Sequence, residues 1–173
     1  MKIRNMALCG LFAALITVCA WIAVPLGSLI FTLQSFAVFL GLLTLGGSRG
    51  TAAILVYLCL GAVGLPVFSG FRGGLGAILG ITGGYLWGFL GSGLVFWLIT
   101  GCIGEKMRIP ALVVSMLVCY GCGAVWMAFS QTGSLSAAAL LSACLQGVLP
   151  YLLPDGAKLT LAFLLSRRLK RFV

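Results

Sequence analysis

The chain has 173 residues, 62% of them hydrophobic and 8% charged, with a mean hydropathy of +1.22 and a net charge of +9. A soluble domain carries roughly 25% charged and 45–50% apolar residues, so this chain lacks the polar surface to coat a water-soluble globule. The same figures exclude disorder, a disulfide scaffold and collagen.

What remains is an all-α polytopic membrane protein, with residues 1–173 forming a single membrane domain. At about 20 residues per span, six spans use about 120 residues, and seven or eight would leave almost no loops. Lys2 and Arg4 precede the first expected span, residues 6–25. Taken alone this resembles a signal peptide, but five further apolar segments follow, so it reads as a membrane helix. Pro25-Leu-Gly-Ser28 makes a turn before the second span, residues 29–45, which ends at Gly46-Gly-Ser-Arg-Gly50. The third span covers residues 51–65. The 66–80 segment that follows is too rich in glycine for a stable helix and too apolar for a solvated loop. The fourth span is 82–103, the charged turn Gly104-Glu-Lys-Met-Arg108 follows, and the fifth span is 110–129. Residues 130–149 read as an interfacial segment at the outer membrane surface, with Ser134-Leu-Ser offering a serine cap for a short helix. The last span, 151–167, closes on Arg167-Arg-Leu-Lys-Arg171.

With the N-terminus in the cytoplasm, six spans bring nine of the eleven basic residues to that side. They are Lys2, Arg4, Arg49, Lys106, Arg108 and the four of the C-terminal cluster. Arg72 lies in an outer loop and Lys158 in a span. This positive-inside bias orients both termini to the cytoplasm, and a five- or seven-span count would scatter it. The basic balance is thus a topology signal and not a nucleic-acid footprint.

Several chemistries are excluded. There is no His, and the acidic residues are Glu105 and Asp155 alone. His-based nucleophilic catalysis, His-containing metal sites and paired-carboxylate mechanisms therefore fall away. No Gly-x-x-x-x-Gly-Lys-Ser/Thr pattern occurs, so uphill movement of a solute needs energy from another protein. Seven Cys form an odd set, and Cys119-x-x-Cys122 without a second pair reads as small apolar packing rather than a metal or redox motif. The chain is read as a non-enzyme that binds no metal and no cofactor.

Asp155 and Lys158 are the most informative pair. Three residues apart in the last span, they share a helical face, and an ionisable group at that depth costs about 2.5–3.5 kcal/mol on insertion scales. They read either as a self-neutralising packing pair or as a polar ligand site, the carboxylate accepting N–H bonds and the ammonium donating. Non-helical backbone at membrane depth survives only against protein or a water-filled cavity. The 66–80 loop, with Phe68, Arg72 and Gly73, is therefore the natural cover for such a site. It is not a dinucleotide loop: Gly74-x-Gly76 is followed by Leu79 where the fingerprint needs Gly. Gly83-Gly84-Tyr85-Leu-Trp87-Gly88 opens the fourth span with small residues for close helix contacts and two aromatics suited to an interfacial belt or to stacking on a ligand. Gly10 and Ala14 have small-x-x-x-small spacing on the first span, as Cys9 and Ala13 do one residue earlier. Such spacing serves a helix of the same chain or a separate subunit.

An ordered series of motifs now stands out. It runs Thr32-Leu-Gln-Ser-Phe-Ala-Val-Phe-Leu, Leu45-Gly-Gly-Ser-Arg-Gly, Tyr57-Leu-Cys-Leu-Gly-Ala-Val-Gly-Leu-Pro-Val-Phe and Gly80-Ile-Thr-Gly-Gly-Tyr-Leu-Trp-Gly-Phe. With Pro150-Tyr151 and Asp155-x-x-Lys158, the series resembles BioY, the biotin-specific substrate-binding (S) subunit of energy-coupling factor (ECF) transporters, over residues 7–170. The resemblance implies a six-helix bacterial plasma-membrane protein that binds biotin at its outer face. It further implies docking through the first helix, at Gly10 and Ala14, onto a transmembrane coupling subunit carrying two cytoplasmic ATPases. By carry-over, Asp155, Lys158 and Tyr151 face the ligand, with Phe68, Arg72 and Gly73 of the loop and Gly84 and Tyr85 closing over it. The ureido ring of biotin suits an acceptor and a donor together, and Lys158 or Arg72 could meet its carbonyl or its anionic tail. The chain departs from the family pattern at Ile81, Arg72 and Leu153-Pro154. The rival readings are an S subunit for another small vitamin, a small intramembrane enzyme using Asp155 and Lys158, and a channel or structural protein.

Overall fold

The computed structural model describes residues 3–26 and 29–170. Lys2, Arg171 and the Gly27-Ser28 centre of the expected first turn lie outside the described residues. Helix α1 runs Ile3–Trp21 and is followed by strands β1 (Ala23–Leu26) and β2 (Leu29–Thr32). Then come α2 (Gln34–Leu45), α3 (Gly47–Ala62), the single turn α4 (Leu75–Ile78) and α5 (Gly83–Ile103). A 3-10 turn over Glu105–Met107 leads to α6 (Arg108–Thr132), α7 (Ala137–Gly147) and α8 (Leu149–Leu169).

The largest difference from the sequence reading lies at the second expected span. Residues 29–45 do not form one helix. β1 and β2 pair antiparallel, Ala23 opposite Thr32 and Leu26 opposite Leu29, and helix begins only at Gln34. Pro25 removes a backbone donor and ends helical continuation, while Val24, Ile30, Phe31 and Thr32 are β-branched or aromatic and suit an extended pair. The first helix accordingly stops at Trp21 rather than residue 25. The third begins at Gly47 and ends at Ala62, against an expected 51–65. The 82–103 element is helical from Gly83 to Ile103, as its hydropathy implied. The fifth helix is longer than expected and takes the first residues of the 130–149 segment. Of the rest of that segment Ala137–Gly147 forms α7, and of the two serines in Ser134-Leu-Ser136 the second is its cap: the Ser136 Oγ accepts from the Ala139 N–H at 3.2 Å.

Two glycines set the reversals. Gly46 at φ 82° separates α2 from α3, and Gly133 at φ 67° stops α6 by donating its N–H to the Phe129 carbonyl. Side chains with a Cβ rarely adopt that region.

Among the described residues, three helices are long and apolar enough to cross a membrane: Ile3–Trp21, Gly83–Ile103 and the Glu105–Thr132 segment. A fourth arises if α7 and α8, bent by 45° at their junction, count as one. At a rise of about 1.5 Å per residue, the 12 residues of α2 and 16 of α3 reach roughly 18 and 24 Å, short of a ~30 Å hydrocarbon core.

Helix α2 is the centre of the molecule: Gln34, Ser35 and every residue from Ala37 to Leu45 are buried. It packs on α1, α3 and α8. Helices α5 and α6 pack against each other most extensively, and small residues make their approach possible. A Cβ on Gly88 would lie 2.8 Å from the Cys119 carbonyl oxygen, one on Gly84 would run into Trp126, and one on Gly123 into the Tyr85 ring. On α1 the two small-residue pairs separate. Cys9 and Ala13 are buried against the bundle, whereas Gly10 and Ala14 lie on the outward face, with nothing within 4 Å of a Cβ on Gly10.

This packing predicts opposite effects for two alanine substitutions on the same helix pair. Gly88→Ala forces backbone apart and should destabilise by about 1–3 kcal/mol. Gly121→Ala, where a Cβ meets nothing within 4 Å, should be neutral or stabilising by up to about 1 kcal/mol. Thermal unfolding in detergent compares them directly, and equal losses would contradict the packing.

Candidate ligand-binding site

The first turns of α8 carry Asp155 and Lys158, 5% and 8% exposed. Two opposite charges removed from water are tolerated only when their remaining hydrogen-bonding capacity is also met. Here it is met by four elements. Lys158 Nζ donates to Asp155 Oδ1 at 2.7 Å, to the Thr32 carbonyl oxygen at 2.7 Å and to Ser35 Oγ at 3.2 Å. These three bonds use all the donors an ammonium has. Ser35 Oγ in turn donates to Asp155 Oδ1 at 3.0 Å, and the Tyr120 hydroxyl donates to Oδ2 at 2.7 Å. The Phe31 ring lies beneath the ammonium, its centroid 4.3 Å from Nζ, and stacks on Tyr151 at 5.1 Å and 8°.

Each partner is where local structure puts it. The Leu33 N–H donates to the Ile22 carbonyl, so the neighbouring Ala23–Thr32 pair is a non-hydrogen-bonded one and the Thr32 carbonyl points away from β1. Ser35 sits in the first turn of α2, and Tyr120 lies midway along α6 on its buried side. Asp155 follows Pro154 in the opening turns of α8.

A second polar contact lies one residue away. Gln34 Nε2 donates to the Tyr57 hydroxyl at 2.9 Å, and Phe68 meets the Tyr57 ring edge-on at 5.4 Å. The loop is thereby tied to the N-terminal end of α2. The Gly74 N–H donates to the Gly61 carbonyl at 2.7 Å, and the Trp21 indole N–H donates to the Pro66 carbonyl at 2.8 Å.

The expected site residues therefore divide. Asp155, Lys158 and Tyr151 come together, Tyr151 through Phe31. Phe68 is buried against Tyr57 and Gly61, one step removed from the ion pair. Arg72 is exposed on a tight turn in which Phe68 N–H donates to its carbonyl at 2.9 Å. Gly73 presses on the Leu65 carbonyl, where no side chain fits. Gly84 faces Trp126, and Tyr85 donates its hydroxyl to the Gly147 carbonyl at 2.9 Å, joining α5 to the end of α7. Trp87 points outward. Ser35, Tyr120, the Thr32 carbonyl and Phe31 are the participants that sequence reasoning missed. The one local signal was the pair of amides and hydroxyls, Gln34-Ser35, opening an otherwise apolar helix. Cys119 and Cys122 are free thiols, the first buried and the second exposed.

The network fixes the cost of breaking it. Lys158→Met strands a buried carboxylate and should lower stability by about 3–5 kcal/mol, while Asp155→Asn combined with Lys158→Met should cost less than Lys158→Met alone. Tyr120→Phe removes one bond to a charged group, worth about 1.5–3 kcal/mol. Unfolding midpoints of the parent, these three variants and Asp155→Asn alone, in one detergent, test the coupling, and strictly additive losses for the Asp155–Lys158 double would contradict it.

Comparison with known proteins shows the family and the fold. The family model described as the BioY family matches residues 1–173. The chain is 38% identical over 173 residues to the biotin transporter BioY of Thermotoga maritima, covering 97% of this chain and 96% of that protein. It is 39% identical over 170 residues to the probable biotin transporter BioY of Pyrococcus horikoshii, covering 98% of each. In fold it matches the crystal structure of the S-component for biotin from an ECF-type ABC transporter, with a TM-score of 0.82, 23% identity, and coverage of 98% of this chain and 92% of that one. These relatives are transporters by name, in keeping with a chain that binds and carries rather than transforms. By the family model that spans it and by its identity to these relatives, the chain belongs to the BioY family.

Proposed function

We propose that this chain is the biotin-binding subunit of an ECF-type vitamin uptake transporter in the plasma membrane. The observation that carries the reading is the buried Asp155–Lys158 pair, whose carboxylate accepts from Ser35 and Tyr120, in a chain most of whose length is shared with proteins named as biotin transporters. A ureido ring presents two N–H donors and one carbonyl acceptor on a rigid frame. Its donors can replace those of Ser35 and Tyr120 on the Asp155 carboxylate, and its carbonyl can take one N–H of Lys158. The exchange is cheap because both charges are already desolvated and paired in the folded protein, so the ligand replaces one set of bonds by another. Phe31, Tyr151 and Phe68 supply apolar faces for the thioether ring. Lys158, committed to Asp155, suits the ring end of the ligand. Arg72, exposed on its turn, suits the anionic tail.

In this reading the chain crosses the membrane six times with both termini in the cytoplasm. The distribution of nine of its eleven cations supports that orientation. The second crossing is made by the hairpin together with α2, and α7 lies at the outer surface. Gly10 and Ala14, outward on α1, offer a close-approach face to a transmembrane coupling subunit. ATP is hydrolysed by two partner ATPases, and this chain binds no cofactor of its own.

Equilibrium binding of labelled biotin to the detergent-purified protein tests the ligand and the site together. The parent should bind one biotin tightly, and Asp155→Asn and Lys158→Ala should each abolish tight binding. Absence of binding by folded parent protein would refute biotin and turn the test to other vitamins. Arg72→Gln should weaken biotin several-fold yet leave biotin methyl ester unaffected, because the ester has no charge to lose. For topology, in a Cys-free background, Arg72→Cys should react with an impermeant maleimide from outside intact cells and Lys106→Cys only after lysis. The reverse pattern would invert the orientation.

A further inference from the structure

At the end of the molecule opposite the ion pair, the 3-10 turn after α5, the start of α6 and the last turns of α8 border a half-open cavity of about 420 Å³. Its walls carry Lys106, Arg108, Arg167 and Lys170 against a single acid, Glu105. Glu105 is ion-paired with Arg108 and lies 4.0 Å from Lys170 Nζ. Its carboxylate thus holds the position between two cations that a bound anion would take. The other wall is apolar, made of Leu43, Ile109 and Phe163. Ile109 is also 48% exposed on the outer surface of α6, so the apolar wall continues onto the face of the bundle. Ser166 donates its hydroxyl back to the Phe163 carbonyl at 2.8 Å and so adds no competing donor.

We propose that this cavity binds the phosphodiester headgroup of an anionic phospholipid, with the first methylenes of an acyl chain along Leu43, Ile109 and Phe163. Four cations around one carboxylate leave a surplus of positive charge that a singly charged phosphodiester would reduce, and Arg108 and Arg167 present forked donors matched to phosphate oxygens. Free inorganic phosphate shares that headgroup chemistry but has no use for the apolar wall. Basic pockets between membrane helices at the headgroup level are suited to such lipids. The inference needs only that the end of α8 lies at the membrane surface, and it stands apart from the biotin reading.

The test uses the full chain in a neutral detergent, with phosphatidylglycerol, phosphatidylcholine, inorganic phosphate or glycerol 3-phosphate added. Native mass spectrometry reads retained lipid and thermal unfolding reads stabilisation. One phosphatidylglycerol should be retained and should raise the melting temperature, with phosphatidylcholine and the two soluble phosphates ineffective at equal concentration. Arg167→Gln with Lys170→Gln should weaken retention by about fivefold per charge removed. Arg167→Lys with Lys170→Arg should keep it, which separates loss of charge from loss of fold. Glu105→Gln should strengthen retention by removing the competing carboxylate. Equal retention of both lipids, stabilisation by inorganic phosphate as large as by lipid, or weaker retention in Glu105→Gln would each overturn the proposal. Unchanged phosphatidylglycerol retention in the double Gln variant would overturn it too and leave these cations to a protein contact.

Discussion

A lysine and a carboxylate buried together near the start of the last helix impose the strictest constraint on this structure. Neither charge can remain in an apolar bundle unless every polar atom finds a partner, and α8 can supply only the pair itself. The missing partners come from β2 through the Thr32 carbonyl, from α2 through Ser35 and from α6 through Tyr120. Asp155 and Lys158 therefore act as a clamp among elements 35 to 126 residues apart in sequence. A clamp made of exchangeable hydrogen bonds is also a suitable place for a ligand with both donors and acceptors. The same groups that lock the bundle can be re-paired without exposing a charge to hydrocarbon.

The hairpin before α2 follows from that constraint. A continuous helix through residues 29–45 would keep the Thr32 carbonyl inside its own ladder and remove an acceptor from Lys158. Extended backbone up to Thr32 frees the carbonyl and lays Phe31 under the ammonium. Exposed backbone of this kind is admissible within an apolar protein because it is paired across the hairpin and packed against α1. The 66–80 loop obeys the same rule. Its backbone groups are taken up by Gly61 and by the Trp21 indole, and Phe68 fills the space beside Gly61 that any larger residue would occupy.

The two ends of the bundle differ in kind. One holds a neutralised pair, desolvated and fully bonded. The other holds cations in excess around Glu105, partly open to solvent. Charge at the first end is spent internally; at the second it is available to an anion. Between them, glycine and other small residues let α5 and α6 approach closely, and van der Waals contact replaces the hydrophobic driving force that helices lack in lipid.

The sequence by itself determined the class of the protein, its family, the position of α5 and the identity of the decisive pair. These rest on signals written locally: composition, a long apolar run, two charges three residues apart, and motifs in fixed order. Gln34-Ser35 was a fainter local hint. Only the tertiary structure decided that residues 23–26 and 29–32 pair as strands, because an apolar, β-branched run has no period that separates a short strand from buried helix. It also decided that Gly10 and Ala14 face outward while Cys9 and Ala13 face in, since two small-residue stripes one position apart are equivalent until neighbouring helices choose between them. Tyr120 was invisible for the same reason. A tyrosine within an apolar helix gains its meaning from the carboxylate opposite, and that carboxylate lies on another helix 35 residues further along the chain.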